Sequence, residues 1–466
     1  MEQTTQKKRN KLTNAVTGDL FGFLLAELLF FVALGLDQSA IVVTVIGIIL
    51  LILAVITTMR LYTLDDKVSK ILFGGGLLLF IFGALAAFGS YYGDRDFLGL
   101  FSVIASFITF FLLGYLVTVL ERPTIRLVIM GLFLGLGVLI LLTLLVNLYN
   151  YGLFYLARYK GKIFYYDGQP VVISNQVRFL IGLEFVYANE AVAGFYNGLL
   201  ASVLLPTLLT FNEFEKKLTK WILIGLGALG LLALFMYPNW YAILFYGIST
   251  LALLVIKFYP LHKKWLKPTL YVILALFGIF GVLAIFWAFD VFDIFKHLPV
   301  FSRIFSSGYM LRWKDVIQGM TLFGYNWHGV YLQDATGNFL LDVIYQFGAF
   351  AFIILVAFIA YSIWHACNYY QNSDDPLSIK LIIISYLITL LVLALFIYPY
   401  HQRVETDNTI RAINHHPITN SGPFLIGLVL VGYMVGGTST PTKRKSKTSE
   451  QKEEFIEMEE TTYEEK

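Results

Sequence analysis

The sequence is poor in charged residues and contains almost no cysteine. Charged residues occupy 14% of the 466 positions, whereas a soluble domain typically carries about 25%. The single cysteine, Cys367, excludes an intrachain disulfide and a cysteine metal cluster. The connections that are assigned below to the cytoplasmic side contain no glycine-rich loop of the kind that binds phosphate and no paired-aspartate metal motif. We therefore expect neither a cofactor nor a bound metal. The net charge of +3 gives no indication of a nucleic-acid partner.

Hydrophobic residues, in contrast, make up 58% of the chain and occur in unbroken blocks. About 20 apolar helical residues cross a bilayer, and only a fully hydrogen-bonded backbone is stable in lipid. The first block is too long for a cleavable signal peptide and lacks a small-residue cleavage site. We therefore predict an all-α polytopic protein of the cytoplasmic membrane with about 12 transmembrane helices. The blocks are 14–35, 39–58, 70–91, 98–120, 126–148, 191–211, 218–236, 240–257, 269–289, 342–364, 379–399 and 423–437.

The basic residues of the short connections predict the orientation, because Lys and Arg favour the cytoplasmic side. They occur at the N-terminus and in every second connection, whereas the intervening short connections are nearly free of them apart from Arg95. Both termini are therefore predicted to be cytoplasmic. The basic clusters are Lys7, Lys8, Arg9 and Lys11; Arg60, Lys67 and Lys70; Arg122 and Arg126; Lys216, Lys217 and Lys220; and Lys257, Lys263, Lys264 and Lys267.

The prediction divides the chain into a cytoplasmic N-terminus (1–13), a transmembrane domain (14–437) and a cytoplasmic tail (438–466). The polar tail cannot bury enough apolar surface to offset its ordering entropy, so we expect it to be disordered. Long connections in a compact protein are usually functional or disordered, and the Tyr, Trp, Arg and His content of those found here favours function. The inside–outside alternation of the connections puts three long loops on the outer face, near 149–190, 290–341 and 400–422.

Each of the first two outer loops contains an arginine of interest, and the first of them is a candidate for binding an anionic group. Arg178 lies in the first loop, where its guanidinium can form bidentate bonds to phosphate, although a basic residue in a long loop needs no special role. Arg312 lies in the second loop, near the start of residues 309–322, whose apolar residues repeat at helical spacing. This spacing predicts an amphipathic helix at the membrane interface. The apolar residues are Tyr309, Met310, Trp313, Val316, Ile317 and Met320.

Two regions together resemble the O-antigen polymerase and ligase superfamily of polytopic membrane glycosyltransferases. In residues 178–205 an Arg is followed by Gly, an aromatic residue and a turn, here YANEA in place of the commoner Asn-Pro-Asn. In residues 306–350 Ser, Gly and Arg precede an amphipathic segment with Trp, a glycine-rich turn and an apolar run that ends in Gly. The matching residues are Arg178, Gly182, Phe185, Asn189 and Ala191 in the first region, and Ser307, Gly308, Arg312, Trp313, Gly324, Gly329, Asn338, Leu341 and Gly348 in the second.

The resemblance implies that Arg178 and Arg312 bind the diphosphate of an undecaprenyl-diphosphate-linked donor. The family's histidine directly before the asparagine is replaced by Gly337. If the protein is an active polymerase, either another group takes the role of this histidine or none does. His328 and Asp334 are the candidate catalytic residues, with His401, His415 and His416 of the third loop as further options. Substrate-contacting or structural roles are expected for Asn338, Trp313 and Glu190.

The expected function is polymerisation of lipid-linked repeat units on the outer face of the cytoplasmic membrane, for an exopolysaccharide, capsule or O-antigen. The alternatives are a glycan ligase of the same superfamily, a catalytically inactive assembly protein, and a flippase for lipid-linked oligosaccharide. A flippase should carry charged residues at mid-membrane, whereas nearly all charge here lies in loops and at helix ends. The implied partners are undecaprenyl-diphosphate-linked oligosaccharide, membrane lipids, a flippase and chain-length regulator proteins, and no nucleic acid.

Overall fold

The computed structural model is almost entirely helical over the residues that it describes. These residues are 20–33, 97–120, 125–151, 190–210, 217–236, 240–258, 308–324, 338–396 and 422–439, the strand residues 164–166, 169–171, 177–178 and 184–185, and scattered positions within 48–56 and 268–289. The helices are α1 (Leu20–Ala33), α2 (Phe97–Leu120), α3 (Ile125–Tyr151), α4 (Glu190–Thr210), α5 (Lys217–Met236), α6 (Trp240–Phe258), α7 (Gly308–Gln318), α8 (Phe339–Asn372), α9 (Leu377–Phe396) and α10 (Gly422–Ser439).

The length and composition of these helices are those of a membrane protein. Within the described residues, five helices are long and apolar enough to cross a bilayer, namely α3, α5, α6, α8 and α9. Each of them also exposes large apolar side chains, among them Leu244, Leu251 and Phe258 on α6. Such a surface is stable in hydrocarbon and would be unfavourable in water. The prediction of an α-helical membrane protein is confirmed.

The predicted helix limits agree with the observed ones where both are described. The blocks 98–120, 126–148, 191–211, 218–236, 240–257, 379–399 and 423–437 each match a helix to within three residues at either end. Block 14–35 contains α1, and blocks 39–58 and 269–289 are described only at scattered, mostly helical positions. Block 70–91, the N-terminus (1–13) and the tail beyond Ser439 lie outside the described residues.

Two short antiparallel strand pairs interrupt the helical pattern between α3 and α4. Strand β1 (Phe164–Tyr166) pairs with β2 (Gln169–Val171). Strand β3 (Val177–Arg178) pairs with β4 (Glu184–Phe185), so that Arg178 lies opposite Glu184. The all-α prediction did not include these pairs. They give parts of the first long loop an antiparallel strand structure.

Helix α10 lies unusually close to α2 because glycines line their contact. A Cβ added at Gly432 would overlap the carbonyl oxygen of Phe111, and one added at Gly436 would overlap the hydroxyl of Thr118. Small residues allow such close backbone approach, which stabilises helix association in lipid through van der Waals contact.

Three helix pairs run parallel according to the order of their contacts. In each pair, a first contact joins one residue of each helix, and a second contact joins two residues that lie further towards the C-terminus in both helices. The contacts are Gly131 with Ala26 and Gly135 with Phe30 for α1 and α3, Gly432 with Phe111 and Gly436 with Thr118 for α2 and α10, and Gly198 with Ala242 and Ser249 with Ser202 for α4 and α6.

A hydrogen-bonded cluster joins the hairpin between α8 and α9 to α10. Three hydroxyl groups donate to Asp375 Oδ2, from Tyr369 at 2.7 Å, Tyr433 at 2.9 Å and Ser373 at 3.0 Å. The Lys380 ammonium donates to the carbonyl oxygens of Tyr370, at 3.3 Å, and of Ser373. Carbonyl groups at the end of a helix have no intrahelical donor, so Lys380 satisfies the end of α8.

We expect Gly432→Ala to destabilise the protein, because the added methyl group would push α10 away from α2. Overpacking of this kind costs about 1–3 kcal/mol, which should lower the thermal unfolding midpoint in detergent micelles. Gly225→Ala on α5 is the matched control, since an added Cβ there meets no atom within 4 Å. Equal midpoints for the two variants would contradict the close packing of α10 on α2.

Candidate functional site

The site begins with three helices that come together near their N-terminal ends. Helices α4, α8 and α10 start at the ends of the three long loops predicted on the outer face. The ring of Phe424 in α10 stacks on Phe339 of α8, with centroids 4.5 Å apart, and on Phe195 of α4, with centroids 6.5 Å apart. The three loops therefore enter the helical domain at one place. We call this meeting point of the three helix starts the junction.

The electrostatics of the junction follow from the helix starts. A helix N-terminus carries unpaired N–H groups and roughly half a positive charge, and it favours a nearby anion. At α8 the cap is Asn338, whose Oδ1 accepts from Leu340 N at 2.9 Å and from Leu341 N at 3.3 Å. Asp342, only 1% exposed, lies in the first turn of the same helix. A carboxylate at this position is stabilised by the helix dipole.

The start of α10 is anchored from the opposite side by α9. The hydroxyl of Tyr386, which is fully buried in α9, donates to the carbonyl oxygen of Pro423 at 3.0 Å. The ring of Phe133 in α3 meets the Tyr386 ring edge to face, with centroids 6.2 Å apart. The described part of the junction thus rests on a packed aromatic base.

Helix α7 packs on the first half of α8. Its buried residues Val316 and Ile317, with the half-buried Trp313, contact Leu341 and Ile344 of α8. Trp287, from the predicted block 269–289, completes this cluster. The amphipathic helix predicted for 309–322 is therefore present, but it ends at Gln318. Its apolar face packs on protein, not only on the membrane interface.

Helix α8 is broken at Gly348, and the turn after α7 fills the break. Gly348 has φ 85° and ψ 177°, so the amide groups of the next residues leave the helical pattern. Ala349 N donates to Thr321 O at 2.9 Å, and Phe350 N donates to Leu322 O at 3.2 Å. A side chain at Gly348 would strike the backbone of Leu322. This contact explains why a glycine is needed at the end of the family-like region 306–350. The predicted block 342–364 is part of a longer, broken helix.

The structure describes the predicted site residues to different extents. Trp313 and Asn338 both lie at the N-terminal end of α8. Leu341 connects them, because it packs in the cluster that contains Trp313 and its amide donates to Asn338 Oδ1. The backbones of three others are described: Arg178 in β3, Glu190 as the first residue of α4, and Arg312 in α7; their side chains lie outside the described part. Also outside it are Gly337, His328, Asp334, His401, His415 and His416.

Sequence reasoning missed the residues that form the junction. Phe195, Phe339 and Phe424 belong to apolar runs in which no local pattern distinguishes them. The one available signal was Gly422-Pro423, because proline is favoured in the first turn of a helix and marks its start. That signal fixes where α10 begins, but it does not reveal which other helix starts lie beside it.

No known family model, no curated protein and no solved structure matches this chain. The fold and the junction therefore define its class by themselves. It is an α-helical membrane protein in which three helix N-termini, each preceded by a long connection, meet at one place.

We expect Asn338→Ala to lower the unfolding midpoint, because loss of a helix cap costs about 0.5–2 kcal/mol. Asn338→Asp is the control, since aspartate caps as well as asparagine does. Thermal unfolding in detergent should therefore rank Asn338→Ala below both Asn338→Asp and the wild type. An Asn338→Ala variant of unchanged midpoint would show that the cap is not what this residue contributes.

Proposed function

We propose that this protein polymerises undecaprenyl-diphosphate-linked oligosaccharide repeat units on the outer face of the cytoplasmic membrane, for an exopolysaccharide, capsule or O-antigen. It would act as a membrane glycosyltransferase with a lipid-diphosphate-linked donor. The observation that carries the proposal is the junction, where Phe424 stacks on both Phe339 and Phe195. Helix N-termini favour anions, and a diphosphate is one that a cluster of them could bind.

The directions of the helix pairs support the proposed orientation. Helices α1 and α3 correspond to the first and fifth predicted spans, α2 and α10 to the fourth and twelfth, and α4 and α6 to the sixth and eighth. Spans an even number apart cross in the same direction, so each pair should be parallel, as its contacts are. If the basic clusters are inside, as the positive-inside rule predicts, the proposed topology puts the junction on the outer side.

The two arginines lie on elements that lead to the junction. Arg178 is in the hairpin that precedes α4, and Arg312 is in α7, which packs on the first half of α8. Guanidinium binds phosphate oxygens through parallel hydrogen bonds and stays charged at every relevant pH. We assign to both the binding of the donor diphosphate, whose negative charge they would stabilise as it leaves.

The reaction needs few other groups. A hydroxyl of the acceptor glycan forms a bond to the anomeric carbon of the donor, while the bond from that carbon to the diphosphate oxygen breaks. A general base takes the hydroxyl proton, and we assign this role to His328 or Asp334. Trp313, Asn338 and Glu190 would shape the site around the sugars. Alignment of the two reactants can supply a further part of the rate enhancement, on the order of 7–11 kcal/mol.

We expect Arg178→Ala and Arg312→Ala each to reduce the formation of long glycan severely. Each lost charge-assisted hydrogen bond removes about 1.5–3 kcal/mol, or roughly 10- to 100-fold in rate. Arg→Lys should restore activity only in part, because ammonium is a point charge. The measurement is glycan chain length in cells that express each variant at the wild-type level in the membrane.

One lysine from the same helix as Arg312 and one from the same loop as Arg178 provide the controls. Lys314→Ala removes a positive charge from α7 two residues beyond Arg312, about 200° around the helix. Lys162→Ala removes one from the first loop. Both variants should keep wild-type chain length. Normal chain length in the arginine variants, or equal losses in arginine and lysine variants, would contradict a specific diphosphate site.

A further inference from the structure

Asp342 is a carboxylate buried inside the protein near the junction. It is 1% exposed and lies in the first turn of α8. Removing a charged carboxylate from water is costly unless a cation or several hydrogen-bond donors accompany it. The dipole of α8 supplies part of this stabilisation, but two amide groups of the same turn already donate to Asn338 Oδ1. A cation from a neighbouring element would supply the rest.

Helix α7, which packs on the first half of α8, runs in the same direction as that half. The carbonyl oxygen of Thr321 accepts from Ala349, just after the break. Thr321 is three residues beyond Gln318, where α7 ends, and three residues span at most about 10 Å. The C-terminal end of α7 therefore lies near the break. An antiparallel α7 would instead end beside Phe339, which is about 15 Å from Ala349 along the helix.

The residues that join the two helices have the same spacing on both. They are Trp313, Val316 and Ile317 on α7, and Leu341, Ile344 and Tyr345 on α8. Parallel helices face each other across a contact, so a residue just before the contact on one helix shares a side with a residue just after it on the other. Arg312 precedes this contact on α7, and Asp342 follows it on α8. The two positions therefore lie on one side of the contact, whereas Lys314 lies on the other.

The side of α8 that carries Asp342 leads to the junction. Phe339 and Val343 belong to the main core cluster, and the Phe339 ring stacks on Phe424. At 100° per residue, Asp342 lies between this face of α8 and the face that contacts α7. A cation paired with Asp342 would thus stand beside the junction.

We propose that Asp342 is a positioning residue, whose carboxylate pairs with Arg312 and holds its guanidinium group at the junction. This inference rests on the proposed function, in which Arg312 binds the donor diphosphate. A guanidinium group has five N–H donors, so it can bond to a carboxylate on one side and to phosphate oxygens on another. The pairing compensates the buried charge and lowers the entropy that Arg312 loses when the donor binds.

A double-mutant cycle on stability tests the pairing in the full-length protein. Thermal unfolding midpoints would be measured in detergent micelles for Arg312→Ala, Asp342→Asn and the double variant. Arg312→Ala should lower the midpoint, because it leaves a buried carboxylate without its cation. The same change should have much less effect once Asp342→Asn is present. Additive effects of the two substitutions would overturn the pairing.

Two further variants make this cycle specific. Lys314→Ala is the matched control on the other side of the contact, and its effect should be the same with and without Asp342→Asn. Arg312→Lys keeps the charge and should retain most of the midpoint that Arg312→Ala loses, a comparison that needs no change at Asp342. Equal losses from Arg312→Lys and Arg312→Ala would contradict a charge pair.

Kinetics with purified protein and a lipid-linked donor test the positioning role. Asp342→Asn should lower kcat/KM about 10-fold, and Asp342→Glu should recover part of the loss. In an Arg312→Ala background Asp342→Asn should cause no further loss, because Asp342 acts through Arg312. An undiminished loss in that background would overturn the role. Coupled midpoints in a protein that forms no glycan would contradict the proposed function, whereas additive midpoints in an active protein would contradict only this inference.

Discussion

The structure depends on one constraint, which is that the backbone polar groups released where a helix breaks, begins or ends must find partners. Each departure from regular helix is matched by a specific partner. Where α8 breaks, the carbonyl oxygens of Thr321 and Leu322 receive the released amide groups. Where α8 ends, Lys380 donates to its last carbonyl groups. Where α8 begins, the side chain of Asn338 accepts two amide groups.

The same constraint makes the junction chemically distinct from the rest of the domain. Each helix start has amide groups without intrahelical acceptors, of which Asn338 Oδ1 already accepts two at α8. Stacking of Phe424 on Phe339 and Phe195 brings the three starts together. In an environment of low dielectric constant their attraction for an anion is stronger than it would be in water. The proposed diphosphate site therefore rests on backbone geometry, to which the arginines would add charge and specificity.

The sequence predicted the parts of the fold that depend on local composition. Helices such as α4 and α9 were located to within a few residues, because a run of apolar residues is sufficient to identify a membrane helix. The break at Gly348 was not predicted, because a positive φ there arises from contact with residues 321–322 and not from the apolar run itself. The junction was missed for the same reason, since its three rings come from distant parts of the chain. The roles of Arg178, Arg312, His328 and Asp334 came from resemblance to a family, and composition alone would not have singled them out.

The most direct test of the account is a reaction with the purified protein in vesicles that contain fluorescent undecaprenyl-diphosphate-linked repeat units. The account predicts a ladder of progressively longer lipid-linked glycans, with undecaprenyl diphosphate released in proportion to the bonds formed. Repeat units that cross the bilayer without any new glycosidic bond would contradict it and would identify a flippase. Repeat units that remain unchanged on both faces, with the protein folded and correctly inserted, would contradict it as well.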